Sequence, residues 1–258
     1  MCYYLLMYNT RKEKIVATIE ARMTSSRLPG KVLLPIVGKP ALQMLIERLK
    51  QSKYLDEICV ATTTNVADDP IVALATKLRV QCFRGSEADV LGRVLGAAQS
   101  VAADIIVEIT GDCPFVDPLL VDRGVEEFFA RDVDYASNTI HSTYANGFDV
   151  QVFPAKILSE VNELTQDPVD RTHVSYYIYM HPEKYRCHNW EADKDTYGPT
   201  LRMTLDEESD YKALTTVAEA LLPEYPQFSA REVTTYLRAH PEIVALNANV
   251  KQKEAYEL

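Results

Sequence analysis

From Lys14 onward, short β-branched runs alternate with stretches whose apolar residues recur every three or four positions, and few architectures accept that alternation. The first pattern buries as strands and the second as helices, so together they prescribe an α/β fold of βαβ units around a mostly parallel sheet. Strands are expected at 15–19, 58–62, 80–83 and 105–109, with helices near 41–51, 71–78 and 88–101. Asp117 and Pro118 open a further helix to about residue 130, with proline at a favoured first-turn position.

After Asp132 the rhythm loosens into strand-like pieces at 135–139 and 148–153 and helices near 155–164 and 171–180. A strand at 200–205 then ends in Asp206-Glu207-Glu208, and helices follow at about 209–221 and 229–239. No Gly/Ser linker, repeat or low-complexity tract interrupts the chain. The expected organisation is one domain over 14–240 with a small lobe inserted at about 132–200, an extension at 1–13 and a tail at 241–258.

A chain of 258 residues can bury a sizeable core. Its net charge of −10 argues against a broad polyanion surface, so no nucleic-acid partner is expected and any phosphate must meet a local basic pocket. The five cysteines form no C-x-x-C pair, which disfavours a disulfide framework or a zinc site and suits a reducing cytoplasm. The apolar run at 1–8 is too short to span a membrane and lacks the flanks of a signal peptide. It reads as a short extension or as a miscalled start.

The first strand runs straight into Ala21-Arg22-Met23-Thr24-Ser25-Ser26-Arg27-Leu28-Pro29-Gly30-Lys31. In a parallel sheet this loop lies beyond the carboxyl end, where ligands bind. Arg22, Arg27 and Lys31 supply cations, Thr24, Ser25 and Ser26 hydroxyls, and Gly30 a place for close backbone approach. Those are the parts that hold a triphosphate. Neither G-x-x-x-x-G-K-[ST] nor G-x-G-x-x-G is present, which removes support from a P-loop NTPase and from a dinucleotide site. Taken alone, a solvated basic turn accounts for such a loop better than a phosphate site does.

The text beyond the loop changes that balance. ARMTSSRLPGKVL at 21–33, FRGSEADVLGR at 83–93, ITGDCPFVDP at 109–118 and RMTLDEESDY at 202–211 resemble, in order and spacing, the cytidylyltransferases that activate acidic sugars. The likeness is greatest to the branch named after spore-coat polysaccharide biosynthesis and covers roughly residues 14–220. It implies a Rossmann-like sheet of the nucleotide-diphospho-sugar transferase type, CTP as donor, an acidic sugar acceptor and a homodimer.

Asp112 follows the strand at 105–109 and should stand at the same sheet edge as the basic loop, and Asp206, closing the strand at 200–205, is placed to face it. Two such carboxylates would hold Mg²⁺ over a triphosphate, a reading favoured over the alternative in which each caps a helix. Arg22, Lys31, Asp112 and Asp206 are therefore the expected catalytic set, with Arg27 positioning. Thr204 stands where sialic-acid-activating relatives carry an Asp. Asp132-Val133-Asp134 is formally a D-x-D metal motif, but it precedes its strand and is set aside; Asp68-Asp69-Pro70 reads as a helix opening.

The resemblance places the nucleobase near Arg84, Gly85, Ser86, Asp89 and Thr110, the last where relatives often carry Gln. Ser86 could instead simply cap a helix. Asn138, Tyr144, Asp149, Arg171 and His173 offer the amides, carboxylates, aromatic face and cation that suit a polyhydroxylated acid, with His173 as readily structural. The expected reaction is attack of an acceptor oxygen on the α-phosphorus of CTP. Rivals are a sugar-phosphate nucleotidyltransferase, a glycosyltransferase using a nucleotide sugar, and a catalytically silent sugar-nucleotide-binding scaffold.

Overall fold

The computed structural model describes residues 12–252, so the expected extension lies largely outside them and the expected tail is described as far as residue 252. A seven-stranded sheet runs in the order β5-β4-β1-β6-β8-β7-β9, and every pairing is parallel except those made by β8. The central strand β1 (Ile15–Glu20) lies between β4 (Glu57–Thr63) and β6 (Ile105–Thr110). All three are near-continuous runs of buried residues, as strands covered on both faces must be. β5 (Gln81–Gly85) forms one edge, while β7 (Tyr135–Ser137), β8 (Gln151–Pro154) and β9 (Cys187–Asn189) extend the other.

Ile15, Ala17 and Ile19 of β1 point into one core with α1 (Ala41–Leu49), α2 (Asp69–Leu78), α4 (Pro118–Arg131), α8 (Glu208–Leu221) and α9 (Ala230–Ala239). Val16 points into the other, with α3 (Val90–Ser100), α5 (Ala155–Leu164) and α7 (Tyr176–Met180). The chain therefore makes three layers, helix, sheet and helix, as the two periodicities required.

Several boundaries differ from expectation. The strand expected at 200–205 is an extended segment with a single bridge, Asn146 to Arg202, because its amides are taken one at a time: Met203 donates to Asn146 and Leu205 to Asp112. The helix expected at 171–180 is two, α6 (Pro168–Thr172) and α7, broken where Val174 takes a φ of 45°. β9 has no apolar alternation to announce it, and the hairpin of β2 (Pro35–Ile36) and β3 (Lys39–Pro40) is too short to show a period. The strands at 135–137, 151–154 and 187–189, within the region expected to form a lobe, belong to the main sheet. A last short helix, α10 (Pro241–Val244), opens the tail.

From β1 the chain steps outward to β4 and β5, then returns to β6 on the opposite side of β1. This reversal is a switch point, and loops splay apart beyond the carboxyl ends of β1 and β6. Gly111 sits there with its amide 2.8 Å from the Glu20 carbonyl, and an added Cβ would stand 2.5 Å from that oxygen. Gly111→Ala is expected to force the two strand ends apart and cost about 1–3 kcal/mol, read as a lower urea midpoint with an unchanged slope.

Candidate active site

The basic loop after β1 is shaped from beneath by Asp68. Its buried carboxylate accepts from the Met23 amide at 2.7 Å, the Thr63 amide at 3.1 Å and the Thr63 hydroxyl. This residue, expected as a helix opening, therefore ties the loop to the end of β4. Gly30 turns the loop back with a φ of 72° and donates to the Met23 carbonyl at 2.9 Å, which delivers Lys31 inward.

Lys31 is buried, and its Nζ lies 2.6 Å from Asp112 and 2.8 Å from Asp206. Burial works against the charge on Lys31, but the two carboxylates overcome it and lift the ammonium above the ordinary lysine range. Burial likewise opposes the Asp112 carboxylate, and Lys31 reverses that to hold it below the ordinary aspartate range. Arg27 reaches the same Asp206 oxygen at 2.7 Å, while Arg202 takes the other at 2.6 Å and Asp210 at 2.9 Å. Leu205 and Thr204 donate to the Asp112 carbonyl at 2.8 and 3.3 Å, which docks the 202–206 segment on the loop after β6. Three of the expected catalytic set, Lys31, Asp112 and Asp206, thus meet in one network, joined by Arg27, the residue expected to position.

Arg22 stands apart from it, pairing with Glu87 at 3.1 Å on the exposed side of the loop. Glu87 also accepts from Thr24 and, at 2.6 Å, from Asn65. Ser25 accepts from the Leu28 amide at 3.4 Å, so its hydroxyl shapes the loop, and Ala21 is buried at the start. Among the residues expected near the base, Arg84 clamps the Thr63 and Asn65 carbonyls and Asp69, and Ser86 accepts from the Asp89 amide at 3.2 Å. Asp89 caps α3 through Gly92 and pairs with Arg171. Thr110 lies 3.1 Å from the Cys113 thiol, close to Asp112.

Of the expected acceptor residues, Asn138 bridges Phe148 and Val150 in place of sheet bonds, and Tyr144 is buried with its hydroxyl on Arg123 and Glu191. Asp149 remains near the site; burial lifts its carboxyl to about 6, with the Asp112 charge adding to the rise. Arg171 is held by Asn162 and Asp89, and the His173 ring lies 6.2 Å from that of Tyr176. Asp132 and Asp134 pair with Arg186 beside Asp104 at the opposite, amino end of β6, away from this site.

Three residues at this edge were missed by sequence reasoning. Arg93 of α3 is buried and donates to the carbonyls of Ala61, Ser86 and Glu87, at 3.2, 2.5 and 3.2 Å. Glu20 and Glu108 face it from β1 and β6. Burial raises both carboxyls, Glu20 to about 7 against the pull of Arg93 and Glu108 well above the ordinary range, and they share a proton across the pair. A glutamate inside the strand Ile-Ile-Val-Glu-Ile-Thr was the available signal.

A family model described as cytidylyltransferase matches residues 16–221. The spore coat polysaccharide biosynthesis protein SpsF of Bacillus subtilis is 34% identical, over 88% of this chain and 95% of its own. A cytidylyltransferase structure from Leptospira borgpetersenii superposes with a TM-score of 0.85 at 31% identity, covering 94% of this chain and 100% of that one. The structure of CMP:2-keto-3-deoxy-manno-octonic acid synthetase complexed with CTP shares the fold, with a TM-score of 0.63 at 19% identity over 81% of this chain and 99% of that one.

The raised Glu20 carboxyl has a consequence for stability. The folded protein keeps a proton there that the unfolded chain has released, so stability falls as pH rises from the ordinary glutamate range to about 7. Glu20→Gln is expected to flatten that decline, measured by urea unfolding at intervals across the window; an unchanged slope would show that Glu20 does not retain the proton.

Proposed function

The chain belongs to the cytidylyltransferase family of nucleotidyltransferases, and on that footing we propose that it transfers CMP from CTP to an acidic sugar with release of pyrophosphate. The observation that carries this reading is the Lys31 ammonium shared between Asp112 and Asp206, beside a basic loop at the switch point of the sheet. The acceptor oxygen attacks the α-phosphorus in line; the new O–P bond forms as the bond to the bridging oxygen breaks, and the acceptor proton leaves to base or solvent. Lys31 and Arg22 neutralise charge on the triphosphate and on the departing pyrophosphate. Arg22 is available at small cost, because its exposed pairing with Glu87 contributes little.

Asp112 and Asp206 are hard oxygen donors converging on one cationic atom, a donor set that suits magnesium. Among the described residues no cluster of three or more such side chains stands ready for a metal, so phosphate oxygens and water would complete the shell. Magnesium would supply charge neutralisation on the phosphates and a more acidic acceptor oxygen. Arg27 and Arg202 orient the Asp206 carboxylate from both sides.

Asp149, Arg171 and His173 are the residues we assign to the acceptor, and Ser86, Asp89 and Thr110 line the base. The name of the spore-coat relative supports a role in surface polysaccharide synthesis. Among the described residues no helix is long and apolar enough to cross a membrane, and we place the reaction in the cytoplasm, carried out by a homodimer. A pyrophosphate-release screen of each nucleoside triphosphate against sugar acids and sugar phosphates tests the reading, with CTP and a sugar acid expected to react. Arg22→Ala and Asp112→Ala should each lower kcat/KM at least about 100-fold, and near wild-type turnover by either would overturn the assignment.

A further inference from the structure

No sheet ladder holds Asp206. Among the described residues its segment makes one bridge, Asn146 to Arg202, so side chains set the direction of the carboxylate. Arg202 grips Oδ2 at 2.6 Å, which leaves Oδ1 facing Lys31 at 2.8 Å and, through it, Asp112. An oxygen ligand serves a metal only while its orientation is fixed, and the groups behind it do that fixing. Whatever holds Arg202 therefore bears on Asp206.

Arg202 is 9% exposed, and each nitrogen of its guanidinium has a partner. Nε and Nη2 reach Asp210 at 2.9 and 3.3 Å, and Nη1 donates to Gln252 Oε1 at 2.7 Å. Asp210 is fully buried in the first turn of α8, where its Oδ2 accepts the Asp206 and Glu207 amides, each at 3.0 Å. Its Oδ1 accepts, besides Arg202, the side-chain amide of Asn247 at 2.9 Å. The same Asn247 nitrogen donates to the Arg202 carbonyl at 3.1 Å. Gln252 Oε1 also accepts from the Asn146 side chain at 2.9 Å, and so ties together the two sides of the single bridge.

Asn247 and Gln252 both come from the tail that the sequence set apart from the domain. Ile243 and Val244 pack α10 against the main core, and a turn from the Asn247 carbonyl to the Val250 amide, at 3.0 Å, carries the chain on to Gln252. A tail that served stability alone could dock by such apolar residues. This one also buries an asparagine, a cost met only by pairing, and its amide nitrogen pairs with Arg202 and Asp210.

We propose that Asn247 and Gln252 are positioning residues for the metal: the C-terminal tail closes the cage around Arg202 and so keeps Asp206 in its ligating orientation. The inference rests on the magnesium role given above to Asp112 and Asp206. Asn247 acts as a donor and Gln252 as an acceptor, so each substitution has a defined sign.

Mn²⁺, which takes the same oxygen ligands as magnesium, reports the site by electron paramagnetic resonance, with the protein alone and with each nucleoside triphosphate. The binding lost in Asp206→Asn defines the site. Gln252→Ala and Asn247→Asp are each expected to weaken that binding about tenfold, whereas Gln252→Glu, which keeps the acceptor, should match the wild type. CTP affinity in EDTA, measured by calorimetry, is expected to be equal in all of them, and circular dichroism checks that each folds. Unchanged Mn²⁺ binding in both Gln252→Ala and Asn247→Asp, or an equal loss in Gln252→Glu and Gln252→Ala, overturns the proposal. So does a parallel loss of metal-free CTP affinity, which marks a loosened fold, or a wild type that binds no more Mn²⁺ than Asp206→Asn. The expected Mn²⁺ pattern with no pyrophosphate from CTP and any acceptor would defeat the transfer reading and leave this one standing.

Discussion

The Lys31 ammonium between Asp112 and Asp206 joins segments that are far apart in the chain: the loop after β1, the loop after β6 and the 202–206 segment. A buried ion pair is a weak source of net stability, since desolvation offsets much of the attraction. Its value here is positional. Removing the cation would leave two carboxylates facing each other in a buried setting, across segments otherwise joined by the Leu205 and Thr204 hydrogen bonds to the Asp112 carbonyl. The loop conformation follows from it in turn, because Lys31 can reach inward only if Gly30 adopts its left-handed turn and Asp68 holds Met23 from below.

The layers and the parallel strands of the first half were legible, because strands buried on both faces and helices buried on one leave distinct periods in the text. Strand β9 and the two-helix break at Val174 were not, since a strand of three residues shows no period and a positive φ on a β-branched residue is set by its tertiary surroundings. The segment at 200–205 shows a different limit. Its residues have strand character, but its partners are the single residues Asn146 and Asp112, and no local pattern encodes a partner 92 residues away.

The basic loop and the two aspartates were readable as chemistry because charged residues directly after apolar strands have few other uses. What they touch was not readable. Arg84, with its guanidinium on two carbonyls and Asp69, and Arg22, on Glu87, look equivalent in sequence, yet one is a strut and the other an exposed cation held loosely. Glu20 and Glu108 lie 88 positions apart, and only the parallel register of β1 and β6 sets them on one face.

That register separates two kinds of carboxylate at one sheet edge. Asp112 and Asp206 are matched by cations at ion-pair distance, which keeps them charged and suited to hold positive charge on phosphates. Glu20 and Glu108 have no cation at that distance, so burial lifts both carboxyls above the ordinary glutamate range. Burying two acids there without a cation is costly in the free protein. A proton lowers that cost, because a neutral carboxyl can hydrogen-bond to its neighbour where two carboxylates would repel.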